Sequence, residues 1–453
     1  MRRTSTIREI PYEAMLPFVR LASRGGSLSV SHAVAGLLFV LAFGGLAASR
    51  CDAAGPASPS KPVQGQAPDK ASKSGQDKNR APGLGKPIFY PPPPQPPRLQ
   101  FLVSYSDESD LGVRSSRLSA FITGAKAPML AIGKPYGVVM SSNQIIVCDT
   151  GNHGLSLLDL AQKSLRVFRP KGPGALSTPI NVAIDAEGTR YIADSTKGQV
   201  LVFANDGSYQ GTVGLEKGMR PTGVALYKDR VFVTDLNSRS VRVYAKADGK
   251  LLFTMPPDRV VPVPGEAAKP ADKEGDADKE KGKDKDADAD KDAKEGEAPP
   301  PKKNTGDLMA PANIAIDGSG QVYVSDTIGC RVQIYDSDGK FLRGLGSEGD
   351  GWGQFARPRG VAIDREARVY VVDGATQVCQ IFDKEGRLLI FIGEPDGSAA
   401  ALNMPAGIYI DYEHVGLFKK YVAPDFVVEN LVIISNQYGD RKVSVYGLGH
   451  KKA

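Results

Sequence analysis

From residue 134 to residue 446 the chain alternates apolar and polar positions in short runs separated by Gly, Asn and Asp. Alternation at a period of two buries one face of a strand, so these runs predict β-structure joined by turns. The runs also copy one another. KPYGVVM, TPINVAI, RPTGVAL, APANIAI, RPRGVAI and MPAGIYI begin at residues 134, 178, 220, 310, 357 and 404. Their spacing lies in the forties, apart from one interval that holds a repeat plus an insertion. Such a period marks a propeller or a linear array. Two residues after each opening proline stands Gly137, Asn181, Gly223, Asn313, Gly360 or Gly407. Gly and Asn are the residues that most easily take positive φ, so a left-handed kink is expected there.

Each copy continues with a second apolar run that ends on Asp149, Asp194, Asp235, Asp326 or Asp373, with Asn436 in the sixth. A third run follows at a fixed offset, as in Val200, Val202 and Phe203 or Val332, Ile334 and Tyr335. Most copies add a fourth: SYQGTVG, KLLFTMP, KFLRGLG or RLLIFIG. Four antiparallel strands per repeat make one blade, which predicts an all-β chain folded as a six-bladed β-propeller with four-stranded blades.

The residues of 311–346 carry the pattern most fully. There P-x-N-I-A-I-D leads to V-Y-V-S-D, then R-V-Q-I-Y-D, then G-K-F-L-R-x-x-G. This resembles the NHL repeat, and the resemblance covers roughly 134–446 apart from two insertions. It implies a six-bladed ring. It also implies that the recurring acids are hydrogen-bond acceptors fixing loops. Blade-to-blade links and second-to-third-strand loops should then share one face, the usual binding face. The resemblance implies little about function, which resides in sites rather than folds.

The sixth copy lacks a fourth run, while RLQFLVSYS (98–106) is a strand without a repeat of its own. Leu99–Ser104 is therefore expected to complete blade six and remove an exposed edge. This places the propeller at 98–450. Residues 1–50 read as an export signal: arginines 2, 3, 8, 20 and 24 precede a short apolar core from Ala33 to Ala48. Two processing routes stay open, lipid attachment at Cys51 or ordinary cleavage after Ser49. Residues 51–97 hold almost no large apolar side chain until a proline run, and are expected to be a disordered tether ending in a stiff spacer. The insertion 261–305 is charged and expected to be disordered. Its DADKDA segment makes calcium a minor cofactor candidate, although EF-hand spacing is absent. The insertion 412–430 falls between the first two strands of blade six and contains aromatics that should pack.

Chemistry is sparse by comparison. The net charge is +6, and no basic stripe interleaved with aromatics suggests a nucleic-acid partner. Cys148, Cys330 and Cys379 are far apart, with no C-x-x-C. His153, His414 and His450 are too few and too scattered for a three-histidine metal site. No G-x-S-x-G elbow occurs, and the glycine-rich stretch 344–353 links two strands rather than opening a helix. What is left is a loop face. Its expected binding residues are Tyr136, Asn152, His153, Lys197, Arg239, Arg331, Arg359 and Arg441, with Ile180, Thr222, Ala312 and Ala406 also at the channel mouth. The arginines would suit an acidic protein patch or an anionic polymer. The expectation is a monomeric, non-enzymatic interaction module, exported to the periplasm or anchored at the cell envelope, without a required cofactor. Exported chains of this layout resemble accessory proteins found beside multihaem cytochromes, which makes such a cytochrome a candidate partner. The alternative is a hydrolase or lyase of a sugar or lactone in the channel.

Overall fold

The computed structural model describes residues 86–112, 129–256, 305–393 and 398–452. The expected export signal, Cys51, the expected tether as far as residue 85 and the charged insertion up to residue 304 lie outside the described residues.

Six antiparallel sheets form a ring. Their inner strands are Pro135–Ser141, Pro179–Ile184, Pro221–Tyr227, Pro311–Ile316, Pro358–Ile363 and Pro405–Asp411. Each inner strand neighbours the next, and the sixth neighbours the first, so the ring closes. Blade four shows the common order outward from the axis: Pro311–Ile316, Val322–Asp326, Arg331–Tyr335 and Phe341–Leu345. The alternating apolar positions meet between adjacent blades. Val332, Ile334 and Leu345 of blade four pack on Val361, Val369 and Val371 of blade five. The aromatic that ends five of the six third runs is sealed in this layer. Tyr244, Tyr335 and Tyr446 are fully buried, and their hydroxyls reach out to the blade-to-blade links. Tyr244 donates to Glu216 at 2.9 Å, Tyr446 to the Ala400 carbonyl at 2.7 Å, and Tyr335 to the Gly306 carbonyl.

The blade openings depart from the sequence expectation. Gly137, Asn181, Gly223, Asn313, Gly360 and Gly407 do not have a left-handed backbone. Each inner strand instead shifts register just after its proline. The four glycines are needed because inner strands of neighbouring blades nearly touch. A Cβ on Gly137 would stand 2.7 Å from Asn181 Cα, and one on Gly360 3.1 Å from Gly407 Cα. At Gly407 it would overlap the Tyr136 carbonyl oxygen and sit 3.0 Å from Gly137 Cα, across the junction of blades six and one. Gly407→Ala is therefore expected to cost about 1–3 kcal/mol or more from overpacking against backbone. Gly416→Ala, which meets nothing within 4 Å, should change little. Urea unfolding of the two variants checks the contrast.

Blade six combines both ends of the chain. Leu99–Tyr105 pairs antiparallel with Val443–Lys451, which pairs with Phe426–Asn436 and then with the inner strand. A fifth strand, Ile88–Tyr90, adds to the outside of Leu99–Tyr105. Ordered structure thus begins earlier than the residue 98 expected. The prolines that follow Tyr90 are a turn rather than an extended spacer, closed by Arg98 N–H donating to the Tyr90 carbonyl at 2.7 Å. Tyr90 is buried against the Tyr446 ring, 6.4 Å away.

The insertion expected at 412–430 is also shorter than its sequence suggests, because the second strand begins at Phe426. Its remainder forms a 3₁₀ segment, Val415–Tyr421. Phe418 is buried there among Val103, Tyr105, Leu431 and Val445. Gln100 clamps the segment from the closing strand: its amide donates to the Tyr421 carbonyl at 2.9 Å and accepts from Ala423 N–H at 3.0 Å.

Candidate functional site: the mouth of the channel

The acids that end the second strands are fully buried. Each one holds the two backbone segments that border the loop face. Asp373 accepts from Ala356 N–H (2.8 Å) and Arg357 N–H (2.9 Å) in the incoming link, and from Ala375 (2.8 Å) and Thr376 (3.1 Å) in the loop that follows. Asp194 does the same for Ser177, Thr178, Thr196 and Lys197. Asp149 binds Gly133, Lys134, Gly151 and Asn152, and Asp326 binds Met309, Ala310 and Gly329. Asp235 takes Arg220 N–H and Asn237 N–H, and also pairs with Arg242 Nε at 2.9 Å, both side chains buried. In blade six Asn436 accepts from Asn403 N–H and donates to the Arg441 carbonyl at 2.9 Å.

These staples set the rim of a cavity of about 390 Å³ at the axis. Its wall draws on the residue after the opening proline in every blade and, in some blades, on the residue before that proline and the one or two residues after the staple. Tyr136, Ile180, Thr222, Ala312, Arg359 and Ala406 all line the cavity. In most blades the proline and the glycine are buried while the residue between them is half-open toward the axis. Arg220 and Arg357, each just before a proline, also face it, with Leu236 and Ile328. Sequence reasoning missed those two arginines. The signal was present in the openings RPTG and RPRG, but the position before the proline was not recognised as axial.

Among the described residues, no carboxylate oxygen lies within 4 Å of the guanidinium groups of Arg220, Arg357 or Arg359. The Nη1 of Arg359 is enclosed and has no hydrogen-bond partner. Burial and the neighbouring charge of Arg357 together hold its proton affinity below that of an ordinary arginine. Its stem crosses Gly374, where a Cβ would sit 3.1 Å from both Cδ and Nε.

The other residues expected on this face lie outside the cavity, and several are engaged in structure. Asn152 donates to the Ala131 carbonyl and to Asp149, each at 2.8 Å. His153 Nδ1 is 3.1 Å from the Ser177 carbonyl oxygen. Arg331 donates to the Asp307 carbonyl at 3.2 Å, and Arg441 to the Ser398 carbonyl. Lys197 and Arg239 are exposed in their loops. Around the mouth stand exposed apolar side chains. Of the ten large ones exposed among the described residues, six belong to this face: Met129, Leu130, Leu215 (72 % exposed), Met309, Ile328 (63 %) and Tyr438.

The opposite face has a different character. A cavity of about 650 Å³ is lined by Asp185, Glu187, Asp411, Glu413, His414 and Arg365, among others. Several charges there are matched. Lys246 pairs with Asp185 at 2.9 Å, His414 Nδ1 lies 2.8 Å from Asp411, and Arg365 rests on the Tyr412 ring.

No family model matches this chain, and no curated protein does either. The NHL-like character therefore rests on the repeat motif. Solved structures similar to it include a streptogramin B lyase (12 % identity, 70 % of this chain and 84 % of that one, TM-score 0.42). Another is the virginiamycin B lyase of Staphylococcus aureus (10 % identity, 70 % and 95 %, TM-score 0.41). A third is a protein of unknown function from Bacteroides thetaiotaomicron (14 % identity, 70 % of each chain, TM-score 0.45). The assignment as a six-bladed propeller comes from the chain's own sheet topology.

Proposed function

We propose that this chain is a non-enzymatic binding module that docks an acidic partner protein through its loop face, at the cell envelope if its N-terminal segment acts as an export signal. One observation carries the reading. Three arginines that have no carboxylate partner among the described residues sit at the centre of a face whose rim exposes Leu215, Met309, Ile328 and Tyr438. Arginine, methionine and aromatic side chains are enriched in protein interfaces, whereas acids are depleted there. Arginines left unpaired at such a centre favour a partner that supplies the missing negative charge.

The enzymatic alternative needs a group free to move a proton. The second-strand acids at the mouth do not offer one, because each is already an acceptor for several N–H donors.

Differential capture from envelope extract tests the proposal. The bait is the full chain, compared with a rim variant (Leu215→Glu with Tyr438→Glu) and an opposite-face variant (Glu187→Lys). A defined acidic protein should be held by the unchanged chain and by Glu187→Lys, and drop at least tenfold with the rim variant. Identical capture by all three would sink the docking face.

A further inference from the structure

We propose that the channel mouth is a pocket for a single carboxylate carried on a small apolar body, supplied by a free organic acid or by the C-terminal residue of a docked chain. This rests on the reading of the loop face as the binding face, and it names the group that enters the centre.

Guanidinium groups are the charged donors of the cavity wall, beside the Tyr136 hydroxyl and the Asn313 amide nitrogen. Its serine and threonine hydroxyls are already used on the opening prolines of the next blade. Thr327 donates to the Pro358 carbonyl at 2.7 Å, Thr222 to the Pro311 carbonyl at 2.8 Å, and Ser195 to the Pro221 carbonyl. The Asn313 amide oxygen accepts from Ile314 N–H. Among the described residues, the arginine side chains of the wall donate no hydrogen bond, and the enclosed Nη1 of Arg359 is the clearest case. A desolvated charge without a partner is costly, and an entering anion removes that cost. The guanidinium fork matches a carboxylate with two parallel hydrogen bonds, which favours this anion over a neutral amide. Gly374 clears the path along which the Arg359 stem lies.

The rest of the wall sets the remainder of the ligand. Ile180, Leu236, Ala312, Ile328 and Ala406 give it an apolar surface. A bare, strongly hydrated inorganic anion would gain nothing from those side chains, whereas an alkyl or aryl body would bury against them. A volume of about 390 Å³ lies at the small end of the range for ligand pockets, so the body is compact.

Calorimetric titration of the full chain tests this with five probes: 4-phenylbutyrate, its amide, acetyl-Gly-Gly-Leu-Leu as the free acid, the same peptide as its C-terminal amide, and inorganic phosphate. At least one acid should bind ten times or more tightly than its own amide and than phosphate, and the better of the two acids identifies the source. Arg359→Gln should weaken that binding at least tenfold while the urea midpoint stays put. Arg357→Gln serves as a second variant should the first unfold, and Arg365→Gln on the opposite face should bind as the unchanged chain does. Equal binding of acid and amide, or phosphate binding as tightly as the acids, would overturn the pocket. The docking face is judged separately, because Leu215 and Tyr438 lie outside the cavity.

Discussion

A chain that starts at residue 107 is expected to lose the closed ring, and with it most of its stability. Removing Leu99–Tyr105 exposes the whole outer edge of Val443–Lys451. It also deletes Leu99, Phe101, Leu102, Val103 and Tyr105, each at most 8 % exposed. Burying side chains of this kind contributes about 1.5–3 kcal/mol each, so the five together amount to roughly 10 kcal/mol. That approaches the whole stability of an ordinary domain, about 5–15 kcal/mol. The 3₁₀ segment under the closing strand would also lose the Gln100 clamp and its contact through Phe418. Circular dichroism with urea should show a broad transition at much lower denaturant, and size exclusion should show association through the bared edge. A synthetic peptide of residues 86–106 added in excess should restore the cooperative transition by pairing as a strand. A truncated chain that unfolds at the original midpoint would show that the terminal strand is dispensable for closure.

That closure was legible in the sequence because the defect and its repair were both visible. The sixth copy ran out after Tyr446, and a strand at 98–106 had no copy of its own. The blades were legible for a related reason: their alternation is two-periodic and their acids recur at a fixed offset, so one buried face and one loop contact repeat six times. What failed was anything set by contact between blades. Gly137, Gly223, Gly360 and Gly407 were assigned a backbone twist because residue type alone suggests one. Their actual reason, a neighbouring strand within about 3 Å of where a Cβ would stand, exists only once the ring is assembled. Ile88–Tyr90 was hidden because three apolar residues among prolines are too few to predict a strand, and it pairs only with a strand that is itself displaced from its blade. Arg220 and Arg357 were missed for the same kind of reason. Their sequence position before a proline says nothing about direction, whereas the staple at Asp235 or Asp373 holds their backbone at the axis.

The staple in blade five therefore has a predictable double effect. In Asp373→Ala the N–H groups of Ala356, Arg357, Ala375 and Thr376 lose their acceptor together. A donor left unpaired in a buried place costs about 1–3 kcal/mol, so several kcal/mol should be lost even if water reaches part of the gap. Asp373→Asn should fall between, and blade six shows why. There Asn436 accepts one N–H with its oxygen and spends its amide on the Arg441 carbonyl and Ser444, so an amide can hold a loop, but only one that turns a carbonyl toward it. In blade five the incoming link presents N–H groups to one oxygen of Asp373 and the loop presents them to the other, so an Asn there would face one of the two with a donor. Urea midpoints should thus rank the unchanged chain above Asp373→Asn and that variant above Asp373→Ala. The second effect is on the site. Arg357 is held by this acid through its own backbone, and Arg359 follows two residues later over Gly374. Carboxylate binding at the mouth should fall at least tenfold in Asp373→Ala under conditions where the protein is still folded. Asp326→Ala in blade four, whose staple holds Met309 and Ala310 and no arginine, should lose comparable stability and far less of that binding. Equal loss of binding in both variants would mean that the pocket depends on the rigidity of the ring as a whole rather than on the placement of its arginines.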